Sequence, residues 1–200
     1  MSTTLKTISI FSGRFQPPHT GHVMGWHWLN NRFDKCVIAT SNVVDPMRSP
    51  FNFDEKQTML VNAGIPADNI SQVKNPYTAA EIVAQYDPDT TVIVFGISDK
   101  DMCADARFKF NPKLDGTPSY LQSYDLNVDN LQPASKHAYV INMPTVRFMV
   151  NNIPMNSATQ LRSHFVHASH DVQMQMINDI HGSYDKATHI LMKEKLHAAR

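Results

Sequence analysis

The chain has 200 residues, and its 18 Lys and Arg balance 18 Asp and Glu. That length holds one α/β domain with a sizeable core and is too short for two large ones, so a single domain over 1–200 is expected. Zero net charge gives no support to a sequence-independent grip on nucleic-acid phosphates, and a small-molecule partner fits better. Cys36 and Cys103 form no CxxC pair and have no histidines at zinc-finger spacing, which predicts a reduced, intracellular protein. Residues 1–5 lack the apolar stretch of a signal peptide, and no later segment approaches the roughly 20 apolar residues of a membrane span. A soluble, cytoplasmic protein is expected, without nucleic-acid or membrane partners; the oligomeric state stays open, a homo-oligomer included.

The elements follow in chain order. Leu5 to Phe11 ends in the apolar run ISIF and passes straight into Ser12 and Gly13, as a buried parallel strand enters a turn. From Thr20 to Phe33 the apolar residues fall at helical spacing, with Thr20 as a cap. CVIAT, Cys36 to Thr40, predicts a strand, and a helix over Phe53 to Ala63 stops at Gly64 and Pro66. A weak strand covers Ile70 to Val73 and a helix Thr78 to Tyr86, before TVIVFG, Thr91 to Gly96, the clearest buried strand in the chain. The stretch 104–136 breaks the rhythm with four prolines and glycines among polar residues, and predicts a loop-rich insertion. AYVINM then predicts another strand, and the chain after Asn156 reads as helical. Trp26 and Trp28 read as core or helix surface, and Met174, Met176 and Met192 as core packing. Strands alternating with helices predict a Rossmann-like doubly wound parallel sheet with a helical C-terminal region.

Three segments carry chemistry. SGRFQPPHTGH, Ser12 to His22, lies where the first strand feeds a helix, at the carboxyl edge where open α/β sheets bind ligands. Gly13 lets the backbone approach a ligand, and His19 and His22, three apart, share one face at the positive end of the helix, where phosphates are favoured. Alone, such a pair reads equally as surface or metal-ligand histidines. NSATQLR, Asn156 to Arg162, opens a late helix: Ser157 and Thr159 offer hydroxyls for capping or phosphate, and Arg162 brings a guanidinium fork one turn on. GISDKD, Gly96 to Asp101, follows the strongest strand; Lys100 would offset phosphate charge and Asp99 bind a ribose or base edge, unless the segment is only a solvated turn. The remaining histidines show no convincing ligand spacing, so no protein-bound metal is expected.

GRFQPPHTGH resembles the HxGH signature of the nucleotidyltransferase superfamily, in the form most typical of nicotinamide mononucleotide adenylyltransferases of the archaeal and bifunctional bacterial type. NSATQLR is similar to that family's ISxTxxR pattern, with Asn156 in place of Ile. GISDKD resembles its GSDKD-like segment. RSPFNFDEK, Arg48 to Lys56, resembles its NPFTxxER segment, with Ser49, Asn52 and Lys56 in place of Asn, Thr and Arg. The resemblance implies adenylyl transfer from ATP to nicotinamide mononucleotide with release of pyrophosphate. Cytidylyl transfer from CTP, or adenylyl transfer to phosphopantetheine or another small phosphorylated acceptor, are the neighbouring alternatives, and a nucleotide-binding module without turnover is a further one. It assigns catalysis to His19, His22 and Arg162. Nucleotide contacts fall to Gly13, Arg14, Phe15, Gly96, Ser98, Asp99, Lys100, Ser157 and Thr159. Acceptor contacts fall to Arg48 and Phe51, with Tyr120 and Tyr124 added from the aromatic part of the insertion. Mg²⁺ would be held mainly by the substrate phosphates.

Overall fold

The structure, a computed structural model, describes residues 5–102 and 108–197. In chain order the elements are β1 (Lys6–Ser12), α1 (Thr20–Asn30), β2 (Lys35–Thr40), α2 (Phe53–Asn62), β3 (Ile70–Gln72), α3 (Ala80–Val83), β4 (Thr91–Ser98), α4 (Asp99–Met102), β5 (Leu121–Ser123), β6 (Ala138–Met143), β7 (Phe148–Val150), β8 (Ile153–Met155), α5 (Ala158–His167), α6 (His170–His181) and α7 (Lys186–His197). The main sheet runs in the order β3-β2-β1-β4-β6-β5, the Rossmann-like α/β arrangement that the alternation predicts. The chain falls into two compact units, Met1–Gly13, Trp26–Ala39 and Val73–Thr145 forming one, and Arg14–Gly25, Thr40–Gln72 and Val146–Arg200 the other.

In the first unit β1 pairs in parallel with β2, Ile10 opposite Val37, and with β4, Ile10 opposite Phe95. β6 continues the sheet beside β4, and β5 pairs beyond it, again in parallel. The central strands are apolar almost throughout because both faces are covered, the pattern of parallel sheets. Ile8 and Ile10, Val37 and Ala39, Ile93, Phe95 and Ile97, and Ala138 and Val140 alternate onto one face, where Ala79, Ile82 and Phe108 close the core. Strand order reverses between β1 and β4, which makes their carboxyl ends the topological switch point where such sheets bind ligands.

Two predicted helices are shorter than expected by more than one residue. The helix expected over Thr78 to Tyr86 is reduced to Ala80–Val83, because Ala79 stands in the left-handed region with φ 43 and interrupts the helical backbone ahead of it. The first helix ends at Asn30, where the Leu29 carbonyl takes the amides of both Arg32 and Phe33. Within the stretch expected as an insertion, the described residues include β5 and a short 3₁₀ turn at Val128–Asn130. Cys103 lies outside the described residues, whereas Cys36 is a buried thiol pushed up to about 12 by burial.

The second unit is built from α2, the β7–β8 hairpin and the three C-terminal helices. Their apolar faces meet in a core that includes Phe51, Met59, Phe148, Leu161, Phe165, Met176, Ile180 and Met192. Asn52 caps α2 in a reciprocal box with Glu55, whose carboxylate also pairs with Lys195 of α7 at 2.9 Å. The hairpin turns on Asn151 and Asn152, both at positive φ, as a two-residue turn between twisted strands requires. Ser157 caps α5, its hydroxyl accepting from the Gln160 amide, and Gly182 ends α6 at φ 80. Among the described residues no helix is long and apolar enough to cross a membrane.

Candidate functional site

The site is built on the segment that leaves β1. Gly13 donates its amide to the Ala39 carbonyl, and the chain then turns sharply through Phe15, whose φ of 51 is rare for a residue with a side chain. Phe15 is buried and its ring meets the edge of His22 at 4.7 Å between centroids. Gln16, also buried, joins this turn to the Arg48 to Lys56 segment. Its amide nitrogen donates to the Phe51 carbonyl at 2.7 Å, and its amide oxygen accepts the Phe51 N–H at 2.9 Å. The Gln16 main-chain carbonyl takes a third bond, from Nη1 of Arg162 at 2.5 Å. The guanidinium at the start of α5 is therefore bonded to the same turn that carries the two histidines.

His19 is buried and lies in a stack of three rings, with His22 at 3.7 Å on one side and Phe148 of β7 at 4.1 Å on the other. Gly21 makes this possible: a Cβ there would stand 3.0 Å from Phe148 and 3.1 Å from the His19 ring. The His19 main-chain N–H donates to Nδ1 of His22 at 3.3 Å. A neutral His22 then carries its proton on Nε2, the tautomer that donates to an oxyanion. Arg162 is half-buried, and its guanidinium is held below its ordinary pKa by burial and by the charge of Arg14. Among the described residues no carboxylate forms an ion pair with Arg162. Two guanidiniums and two imidazoles gathered this way favour a multiply charged anion over a neutral ligand.

Lys56 adds a further cation. It is almost fully buried, its ammonium donating to the Thr40 hydroxyl at 2.8 Å and the Ser41 carbonyl at 2.5 Å, and burial lowers it to about 8. The Thr40 hydroxyl passes on to the Arg14 carbonyl at 3.4 Å.

The other residues singled out in the sequence stand as follows. Ser157 spends its hydroxyl on the α5 cap, and Thr159 is exposed one residue into that helix. Arg48 is exposed in a turn where its amide and that of Met47 bond to the Asp45 carboxylate. Phe51 is a core residue, fully buried, so its contact with the turn runs through its main chain. In the first unit, Gly96 faces Leu29 and Met143, where an added Cβ would come within 2.5 Å of Leu29. Ser98 donates to Asp101 at 2.8 Å, and Asp99 is exposed and accepts from Asn142 at 2.7 Å. The side chain of Lys100 lies outside the described residues. Tyr120 gives its hydroxyl to the Ala134 carbonyl, and the Tyr124 ring packs edge-on against Phe33.

Gln16, Lys56 and Phe148 belong to this site and are absent from the sequence-based assignment. Gln16 stands inside the motif, which is its signal in the sequence; Phe148 carries no local mark, because its role is set by a ring far away in sequence. Thr20, expected as the cap of its own helix, instead donates its hydroxyl to the carbonyls of Asp179 and Ile180 at 2.7 and 3.2 Å.

The model of the cytidylyltransferase-like family matches residues 10–190. The chain belongs to that family. Within it, this cytidylyltransferase-like chain is similar to a nicotinamide-nucleotide adenylyltransferase of Thermococcus sibiricus, 29% identical over 39% of this chain and 50% of that one. Its fold is similar to that of a bifunctional NMN adenylyltransferase/ADP ribose pyrophosphatase from Francisella tularensis, at 18% identity and TM-score 0.53, covering 96% of this chain and 50% of that one. It is also similar to a nicotinic acid mononucleotide adenylyltransferase of Plasmodium falciparum solved with NaAD, at 16% identity and TM-score 0.50 over 98% of both chains. The chain thus spans about half the length of the curated relative and of the Francisella protein.

Proposed function

We propose that this chain is a nucleotidyltransferase that moves the adenylyl group of ATP onto nicotinamide mononucleotide, giving NAD and pyrophosphate. The observation that carries the proposal is the joining of Arg162 to the turn that holds His19 and His22, with His22 kept in the tautomer that donates from Nε2. The names of the Thermococcus, Francisella and Plasmodium proteins support the adenylyl group, and those of the first two support nicotinamide mononucleotide as acceptor, where the Plasmodium name gives the nicotinic acid form.

In the proposed reaction an oxygen of the acceptor phosphate attacks the α-phosphorus in line. The new bond joins that oxygen to the α-phosphorus, and the bond from the α-phosphorus to the β-phosphate bridge breaks, its electrons leaving with pyrophosphate. The attacking phosphate is already ionised at neutral pH, so positioning and charge neutralisation do most of the work. His22 donates to a phosphate oxygen whose charge grows in the transition state, His19 stands beside it, and Arg162 with Arg14 offsets the triphosphate. Mg²⁺ would enter as part of the substrate, Mg-ATP, and would offset phosphate charge. Main-chain groups at 13–15 border the nucleotide, and Arg48 is the side chain free to reach toward the acceptor phosphate. The protein works in the cytoplasm on this reading, with Cys36 kept as a thiol.

Incubating the protein with Mg²⁺, nicotinamide mononucleotide and either ATP or CTP tests the proposal. NAD and pyrophosphate are expected with ATP. Pyrophosphate with CTP alone would reject the adenylyl assignment, and tight ATP binding without turnover across a panel of phosphorylated acceptors would make the chain a binding module.

A further inference from the structure

A helix that ends in a left-handed glycine still leaves carbonyls without partners in its last turn. In α6 the Gly182 amide takes the Asn178 carbonyl, and the next two, Asp179 and Ile180, are taken by one hydroxyl, that of Thr20. A threonine at a helix start ordinarily accepts from an amide of its own helix. Thr20 is turned the other way and donates to a helix end supplied by the last quarter of the chain. It lies between His19 and Gly21, so whatever holds its hydroxyl also holds the backbone on which both imidazoles are mounted.

A second link starts from the same helix end. The Asp179 carboxylate accepts the Asn151 main-chain N–H at 2.7 Å, and its other oxygen takes the Gln175 amide at 2.7 Å. Asn151 is the first residue of the β7–β8 turn, at φ 48, and β7 begins with Phe148, the ring stacked on His19. Asp179 therefore touches both supports of the His19 imidazole, through its carbonyl on the motif side and its carboxylate on the hairpin side.

We infer that the C-terminal end of α6 is the positioning element for the histidine turn, with Thr20 as the positioning residue that joins them. Thr20 touches no reacting atom; its hydroxyl fixes where His19 and His22 point. The inference deepens the nucleotidyl-transfer reading and rests on it for its kinetic readout, while its structural readout is independent of any activity.

The test compares Thr20→Val, which keeps the shape and removes the donor, with Thr20→Ser, which keeps the donor. The kinetic measurement is pyrophosphate release from Mg-ATP and nicotinamide mononucleotide. Thr20→Val is expected to lower kcat on the order of 10- to 100-fold, the scale of a slight misplacement of catalytic groups, with KM for ATP within about twofold of the parent. Thr20→Ser restores kcat to within about threefold. The structural measurement is hydrogen exchange at the His22 and Val23 amides, both bonded to the His19 carbonyl. These exchange on the order of tenfold faster in the valine variant, and at the parental rate in the serine variant. Thr20→Ala replaces the valine variant if the latter does not fold. Unchanged exchange in Thr20→Val, or a serine variant as impaired as valine, would overturn the inference. If the parent protein releases no pyrophosphate, the transfer reading falls, and the exchange rates alone still decide whether Thr20 anchors the turn.

Discussion

The segments that follow β1 and β4 both leave the carboxyl end of a parallel strand, yet they are held in different ways. The first is tied by side-chain contacts with distant parts of the chain: Gln16 on Phe51, Arg162 on Gln16, Thr20 on the end of α6, and Phe148 on His19. The second starts where β4 ends at Ser98, and beyond the sheet its side-chain bonds among the described residues are the short Ser98 to Asp101 bond and that of Asn142 to an exposed Asp99. A turn meant to present imidazoles at one place gains from many long-range restraints. A segment that only follows the strand needs few, and Gly96, still inside β4, answers to packing against Leu29 and Met143.

The largest expected effect tests the chemistry of the restrained turn. His22→Ala should lower pyrophosphate release by roughly 10² to 10³ with the circular dichroism spectrum unchanged, the scale of one lost transition-state hydrogen bond. Near-parental turnover would mean that the turn is restrained for some other purpose. Next comes the restraint itself. Gln16→Leu leaves the buried N–H and C=O of Phe51 without their partner, and urea denaturation should show a loss of about 1–3 kcal/mol for each group left unsatisfied.

His181, at the end of α6, gives a pH-dependent effect. Burial lowers it to about 4, against the Asp185 carboxylate and the Pro18 carbonyl, which both act to raise it. The folded protein thus keeps the ring neutral where the unfolded chain, at 6.5, takes up a proton. Between pH 6.5 and about 4 the unfolded state binds more protons, so stability falls as pH falls through that window. His181→Gln should flatten this slope, measured as urea stability at the two ends of the window; equal slopes would show that the ring is not the group responsible. The smallest effect belongs to the other segment. Asn142→Ala frees the exposed Asp99 carboxylate and should change stability by no more than about 0.5 kcal/mol. A loss comparable to that of Gln16→Leu would erase the contrast between the two segments.

Much of the fold was legible because its signals are local. ISIF, CVIAT and TVIVFG are continuous apolar runs, and burial on both sheet faces leaves that mark within the strand itself. The hairpin was legible in principle, since Asn151 and Asn152 stand between two apolar triplets, but three-residue strands carry too little alternation to stand out. β5 has no such mark: Leu121, Gln122 and Ser123 are half-buried and pair only because β6 is beside them. In the site, His19, His22 and Arg162 were visible as residue types suited to an anion. The work of Gln16, Lys56, Thr20 and Phe148 was not, because a glutamine, lysine, threonine or phenylalanine acquires such a part only from what the rest of the chain brings against it.

Gly21 shows how far one letter of sequence can reach. A methyl at that position would meet Phe148 at 3.0 Å and the His19 ring at 3.1 Å. The clearance it leaves is a tolerance of tenths of an ångström on a ring that arrives from a hairpin more than a hundred residues later. The glycine between the two histidines is therefore a gauge block for the hairpin, since a side chain there would require the Phe148 and His19 rings to give by a few tenths of an ångström.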